Sequence, residues 1–422
     1  MCYSVTIHLV YCSYHSEFSH FIKHYEKSYS QSEYRTRLAA FNLNYRNMKA
    51  KNALLKSGEA PWVVTQFFDL SKSEFSSRML RSDSFADVNA HIKSLVAAHN
   101  MANEKKNVAL LDTNTVASLD IATETGIASA GANKSTQSTM TIPIRAALIR
   151  NPLSTTTNDA NLQVLTAAQI ATLRTQLPES IDYREHENFD ILGQLRDQGR
   201  CGSCFSHAAA SVASSAVALL ENKGRTKEPF VPHKVFSAQP GLDCVRPHYS
   251  CTHGGNHAIT LDALLRNRLT IRETHYPSFP EDRPCDWMKL YSHAFDCSKH
   301  LKAVHVPGSE EQIVYALMRY GPLLAAVDGS PLQLYSPGRP VDDSQCGFFI
   351  NHSVVIVGVT KEYFILRNSW GLRDGEHAGR YFPNSNGYYY VKRGGKVPWW
   401  KASCALQNYV FAIVRTDGKP SL

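Results

Sequence analysis

The chain has 422 residues, 43% of them apolar, with a formal net charge of +8 and ten cysteines. That length allows two or three domains with real cores, and the apolar share excludes wholesale disorder. There is no apolar run of about eighteen residues and no Lys/Arg block, which argues against a membrane anchor and against a nucleic-acid footprint.

In chain order, residues 1–15 come first. Val5 to Cys12 is apolar but interrupted by His8, with neither a basic start nor a small-residue cleavage site. The stretch reads as a truncated or poor signal segment. Residues 16–76 carry the pattern of an amphipathic helix. Phe18, Phe21, Tyr25, Lys27 and Tyr29 lead into a run where Glu33, Arg37, Phe41, Asn44, Met48 and Asn52 recur at steps of three and four. That spacing puts all six on one helix face. The segment Phe67-Phe68-Asp69-Leu70-Ser71-Lys72-Ser73-Glu74-Phe75 follows.

Residues 77–176 are rich in Ser, Thr, Ala and Asn and poor in aromatics, and read as a linker. Within them Phe85, Val88, Ile92, Leu95 and Val96 give Asp83–Asn107 some helical character, whereas Val108–Thr157 has no sustained period. Asn133-Lys134-Ser135 is a glycosylation sequon if the chain is secreted.

The densest information lies in Gln198-Gly199-Arg200-Cys201-Gly202-Ser203-Cys204-Phe205, just ahead of a small-residue helical run, Ala208–Leu220. A helix N-terminus and a nearby imidazolium both lower a thiol's pKa, and Cys204 stands where the helix would begin. His352 opens a β-branched run, Val354-Val355-Ile356-Val357, that reads as a buried strand. Asn368 ends a second strand-like run and is placed to orient the imidazole, with Trp370 to cover that bond. Gln198 can donate to an oxyanion together with the Cys204 backbone N–H. These are the parts of a cysteine nucleophile with its base, orienter and oxyanion donor. Cys201 and Cys204 also spell Cys-x-x-Cys, but no second pair stands at zinc spacing. No metal and no cofactor is called for.

Cys-Gly-Ser-Cys-Phe at 201–205, Asn-His-Ser at 351–353 and Asn-Ser-Trp-Gly at 368–371, in that order, resemble the papain-like cysteine peptidases, the cathepsin family. The resemblance covers 177–422, starting at Pro178-Glu179-Ser180-Ile181-Asp182-Tyr183-Arg184, which resembles the mature N-terminus. The interspersed Glu-Arg-Phe-Asn-Met-Asn helix and its upstream and downstream segments resemble the cathepsin-L-type inhibitory propeptide, with Val63 and Thr65 replacing the usual Gly and Asn.

The resemblance implies an α+β fold: a helical left half carrying Cys204 and a β-barrel-like right half carrying His352 and Asn368, preceded by the propeptide. It implies a monomeric endopeptidase zymogen of the secretory pathway, destined for a lysosome-like or food vacuole or for the outside. The partners would be protein and peptide substrates and its own propeptide as an intramolecular inhibitor. The alternatives are a non-catalytic papain-fold binding or regulatory protein and an exopeptidase.

Gly254-Gly255 would line the substrate cleft, and Tyr409 would floor the main specificity pocket, favouring medium-sized apolar side chains. The implied disulfides are Cys201–Cys251, Cys244–Cys285 and Cys346–Cys404. Cys297 is left over, or replaces Cys285 as the partner of Cys244. Phe205 stands for the usual Trp, Asp374 for a second Trp, and His377–Asn386 reads as a local insertion.

Overall fold

The computed structural model describes residues 3–116, 166, 168–170, 172, 178, 180–186, 190–223, 234–245, 247, 249–371, 387–395, 397–398, 401–419 and 421. Leu177, Glu179, Asp374, His377–Asn386 and the sequon at Asn133 lie outside them. The chain divides into two units, 1–86 with 156–422, and 87–155.

Two helices, α1 (Tyr3–His24) and α2 (Gln31–Asn52), build the N-terminal domain. Ser30 starts α2 with a capping box: its hydroxyl accepts from the Glu33 amide, and the Glu33 carboxylate accepts from the Ser30 amide. Phe18, Phe21, Tyr25, Phe41 and Phe68 form the core. The polar members of the α2 face are buried for a different reason. Asn44 Nδ2 donates to the Phe68 and Leu70 carbonyls, both at 3.0 Å. Arg37 donates to the Asp69 carbonyl at 3.1 Å and pairs with Glu74 at 2.9 Å. Asn52 exchanges two bonds with the Trp62 backbone. The helix thus holds the chain at 62–70, which turns at 66–69, by main-chain groups that belong to no ladder. Glu33 departs from the expected face: it is exposed and serves the cap, while Asn42 is buried instead.

The boundaries also shift. The helix read as beginning after a signal-like segment starts at Tyr3. Part of the expected linker is ordered: α3 spans Lys72–Met79, a 3-10 turn Ser82–Phe85, and α4 Ala86–Val116. Composition misjudged 77–86 because a short polar segment can be fixed by a partner surface rather than by its own core. The second unit is described over 87–116, the body of α4, in which Val88 and Ile92 are buried.

In the C-terminal region, α5 (Cys204–Asn222) is buried almost all round. By length and composition it could cross a membrane, but 89% of its apolar window is buried within the fold. Ser211 and Ser214 turn their hydroxyls back onto carbonyls four residues earlier, so they satisfy themselves inside the core. Helices α6 (Gln239–Asp243) and α7 (His257–Arg266) pack against α5. Further on lie α8 (Trp287–His293) and α9 (Glu310–Tyr320).

The strands are β1 (Ile181–Asp182), β2 (Leu301–Val306), β3 (Leu323–Val327), β4 (His352–Val359), β5 (Tyr363–Arg367), β6 (Tyr388–Lys392) and β7 (Val410–Arg415). They form one antiparallel sheet ordered β2-β7-β3-β4-β5-β6, with β1 on β4. The expected barrel is corrected here: β2 and β6 do not pair, and the sheet is open among the described residues. Strand β4 is buried at every position and packs against α5. Cys204 is the first residue of α5 and His352 the first of β4, so both stand at element ends where the helical half meets the sheet.

Candidate active site

Asn368 ends β5 just beyond Arg367, and its Oδ1 lies 2.8 Å from His352 Nε2. The same oxygen accepts the Ser369 amide at 2.8 Å, which fixes the carboxamide and makes Nε2 the protonated ring nitrogen. His352 Nδ1 is then the basic nitrogen; it is buried without a hydrogen-bond partner. The Trp370 ring packs 4.7 Å from the imidazole and shields the bond from water.

Gln198 is fully buried. Its Oε1 accepts from Ser369 Oγ at 2.6 Å, its amide N–H bonds the Ser369 carbonyl, and Nε2 donates to the Cys201 carbonyl at 2.8 Å. One Nε2 hydrogen remains for another acceptor.

Cys204 is free of any disulfide and buried, as is Cys297. The disulfides are Cys201–Cys251, Cys244–Cys285 and Cys346–Cys404. Cys201 is therefore spoken for and forms no ligand pair with Cys204. The Cys204 sulfur lies beside the Ser353 amide and hydroxyl and the Phe205 amide, groups that favour its thiolate. Burial pushes its pKa up, and the Ser353 and Phe205 groups and the Arg81 guanidinium oppose the rise. Burial likewise pushes His352 down to about 4, against the Asn368 bond. Thiol and imidazole are thus both neutral in this closed form.

What closes the site is the stretch 65–85, which runs through α3. Phe67 and Phe75 sit edge-on to Trp370 at 5.1 and 5.4 Å. Gln66 donates to the Trp370 carbonyl at 2.9 Å, and Thr65, the residue replacing Asn, donates to the Gln333 carbonyl at 2.8 Å. The Arg81 amide donates to the Asn351 carbonyl at 2.7 Å. Its guanidinium bonds the Leu80 and Arg78 carbonyls at the end of α3 and reaches the Cys251 carbonyl at 3.0 Å. Ser84 donates to the His253 carbonyl, and Phe85 packs on His257 and Tyr409.

Gly254 and Gly255 are required by this packing. Gly254 has φ +70°, and a Cβ there would lie 2.6 Å from Ser84 Oγ and 2.7 Å from Arg81 Cγ. A Cβ on Gly255 would strike the Phe205 ring at 2.5 Å. Phe205 itself is fully buried against Tyr249.

Tyr409 does not stand alone. Its hydroxyl donates to Asn256 Oδ1 at 3.3 Å, the atom that also caps α7. Its ring is stacked on His257 at 5.0 Å. Sequence reasoning missed His257, Ser353, Arg81 and Phe85. The first two were within reach: His257 follows Gly254-Gly255 by one capping residue, and Ser353 follows His352.

Residues 177–414 match the profile of papain family cysteine proteases, and 18–75 that of the cathepsin propeptide inhibitor domain. Cathepsin O of Homo sapiens is 29% identical over 242 residues, covering 56% of this chain and 66% of that protein. Cathepsin S of Bos taurus is 30% identical over 210 residues, covering 48% and 58%. The chain thus spans between about half and two thirds of such relatives. Among solved structures, the recombinant stem bromelain precursor superposes with a TM-score of 0.61 at 18% identity, covering 94% of this chain and 98% of that one. Digestive procathepsin L 3 from the Tenebrio molitor larval midgut gives 0.59 at 20% identity, covering 97% and 99%. At such identities these two speak for the fold, propeptide included.

Proposed function

Because this chain belongs to the papain family of cysteine proteases and carries a cathepsin-type propeptide domain, we propose that it is the latent form of an endopeptidase with Cys204, His352 and Asn368 as its catalytic residues. The observation that carries this reading is the 2.8 Å His352–Asn368 bond under Trp370, at the start of β4, the strand against which α5 packs.

With the propeptide gone, water re-enters and the burial that holds both groups neutral is lifted. The proton of Cys204 passes to His352 Nδ1, and the α5 N-terminus and the Ser353 donors stabilise the thiolate. The thiolate attacks the peptide carbonyl; the remaining Gln198 N–H and the Cys204 amide receive the oxyanion. The imidazolium gives its proton to the leaving amine, and water, deprotonated by His352, then hydrolyses the acyl-enzyme.

Latency follows from residues 65–85. They run from Trp370, on the leaving-group side, past Asn351 and Cys251 to the Tyr409 pocket. A substrate with its side chain in that pocket and its leaving amine toward Trp370 runs the opposite way, so the propeptide fills the cleft without presenting a peptide bond for attack. Gly254 and Gly255 then offer substrate the backbone surface that Arg81 and Ser84 cover in this form. Three disulfides fit an oxidising compartment, so the secretory pathway, ending in a lysosome-like or food vacuole or outside the cell, is the proposed destination. The segment 282–300, with α8, lies where an exopeptidase could modify a rim, but nothing in its geometry favours that variant.

The test is labelling of the acid-incubated protein with an epoxysuccinyl probe, with Cys204→Ala as control. Labelling of the shortened wild-type chain alone supports the peptidase. A folded, processed chain that takes no label leaves the non-catalytic reading.

A further inference from the structure

The pocket above Tyr409 holds a buried histidine that the catalytic scheme does not use. His257 is fully buried. One ring face is stacked on Tyr409, and Phe411 stands edge-on to both rings. His257 Nδ1 lies 3.0 Å from Ser353 Oγ. Ser353 Oγ can donate or accept, and either tautomer of the neutral ring satisfies that bond. In both, Nε2 is left as a lone pair or an N–H that needs a partner, and it is buried without one. An orphaned ring nitrogen at full burial is costly, and functional sites are where such costs concentrate.

The group covering this ring in the zymogen is Phe85, 5.5 Å from His257 and 6.1 Å from Tyr409, edge-on to each. Phe85 shows that the pocket accepts an aromatic ring. It also lacks the one thing the pocket asks for, a hydrogen-bonding group. We propose that His257 is a specificity-determining residue and that the pocket selects an aromatic side chain carrying a hydroxyl, a tyrosine, whose phenol pairs with His257 Nε2.

This rests on the peptidase reading and sharpens its substrate class. The bare apolar preference implied by Tyr409 alone gives way to a preference for ring plus hydroxyl. A lysine or arginine would also donate, but none of His257, Ser353, Tyr409, Phe411 or Asn256 offers a carboxylate, so its charge would be desolvated without a partner. An asparagine would donate but leave the ring's volume empty.

The experiment compares two fluorogenic peptides identical except for Tyr or Phe at the residue entering this pocket, using processed wild type, His257→Leu and His257→Gln. Wild type should favour Tyr by about tenfold in kcat/KM. His257→Leu should bring the ratio to about one, and His257→Gln, which keeps an acceptor, should restore part of it. A wild-type ratio at or below one, or a ratio unmoved by His257→Leu, overturns the proposal. If neither peptide is cut and the epoxysuccinyl probe does not label, the peptidase reading fails.

The pocket is then tested without turnover. Phe85→Tyr in the intact zymogen at neutral pH should raise its thermal midpoint, and that gain should vanish in a His257→Leu background. No gain, or a gain that survives His257→Leu, overturns the proposal as well.

Discussion

Helices α2 and α5 show two ways to hold a fold. Helix α5 is buried almost all round, and Ser211, Ser214 and Ser215 bond back onto their own helix. Helix α2 buries a narrow set of polar side chains, Arg37, Asn42 and Asn44, and two of these clasp the main chain at 68–70. The first arrangement is non-directional and tolerant of volume-conserving change. The second depends on a few directional bonds, each costly to lose. A permanent core suits the first, and a part that must later be removed suits the second. The inhibitory domain is therefore the region of this chain that one substitution can release.

The largest expected effect lies on the permanent side. His352→Ala removes the proton acceptor and donor, and turnover by the processed enzyme should fall by roughly 10²–10⁴. Helix α5 and the sheet should keep their melting transition, because the lost contacts are with Asn368 and Trp370 at the cleft edge. A kcat within a few-fold of wild type would remove His352 from the mechanism.

Arg37→Ala sharpens the contrast on the removable side. It breaks the bond to the Asp69 carbonyl and the ion pair with Glu74 and leaves both acceptors poorly satisfied. Hydrogen bonds to charged groups contribute about 1.5–3 kcal/mol, so the propeptide domain should loosen while the peptidase core does not. Limited proteolysis at neutral pH should find residues 16–79 cut well before the rest. Equal protection of both regions in the variant would show that α2 does not depend on its polar face.

How much of this was legible follows from the same contrast. The α2 residues could be read because directional bonds need particular side chains at fixed spacing. Cys204, His352, Asn368 and Gln198 could be read because their chemistry allows few substitutes. The capping role of Glu33 was hidden because a cap and a buried face share one periodicity. The path of 77–86 was illegible because its partner surface, Gly254, Cys251 and Asn351, lies far along the chain. His257 was read as one histidine among eighteen; only the stacking on Tyr409 and the bond to Ser353 distinguish it. The open sheet likewise depends on which strands pair, which alternation along a strand does not specify.

The effect that joins the two regions is the pH dependence of the closed cleft. Burial pushes His352 down to about 4 and His257 to about 3, from an ordinary value near 6.5. The closed form thus binds fewer protons than the open one between pH 6.5 and these values. Closure is fully stable above pH 6.5 and weakens as the pH falls through about 4 and then 3. Their charged and titratable neighbours do not counter this: the raised Cys204 thiol stays protonated and Arg81 stays cationic across the window. Each histidine can contribute up to about a tenfold shift per pH unit. Hydrogen exchange at the Arg81 amide, which is tied to Asn351 in the closed form, reads the opening directly once corrected for intrinsic rates. Its protection should fall as pH drops from 6.5 to 4, and His257→Leu should make that fall shallower across the whole window. Protection that is level across the window would mean that acid opens the zymogen through the polar bonds of α2 instead, and the cleft histidines would play no part in release.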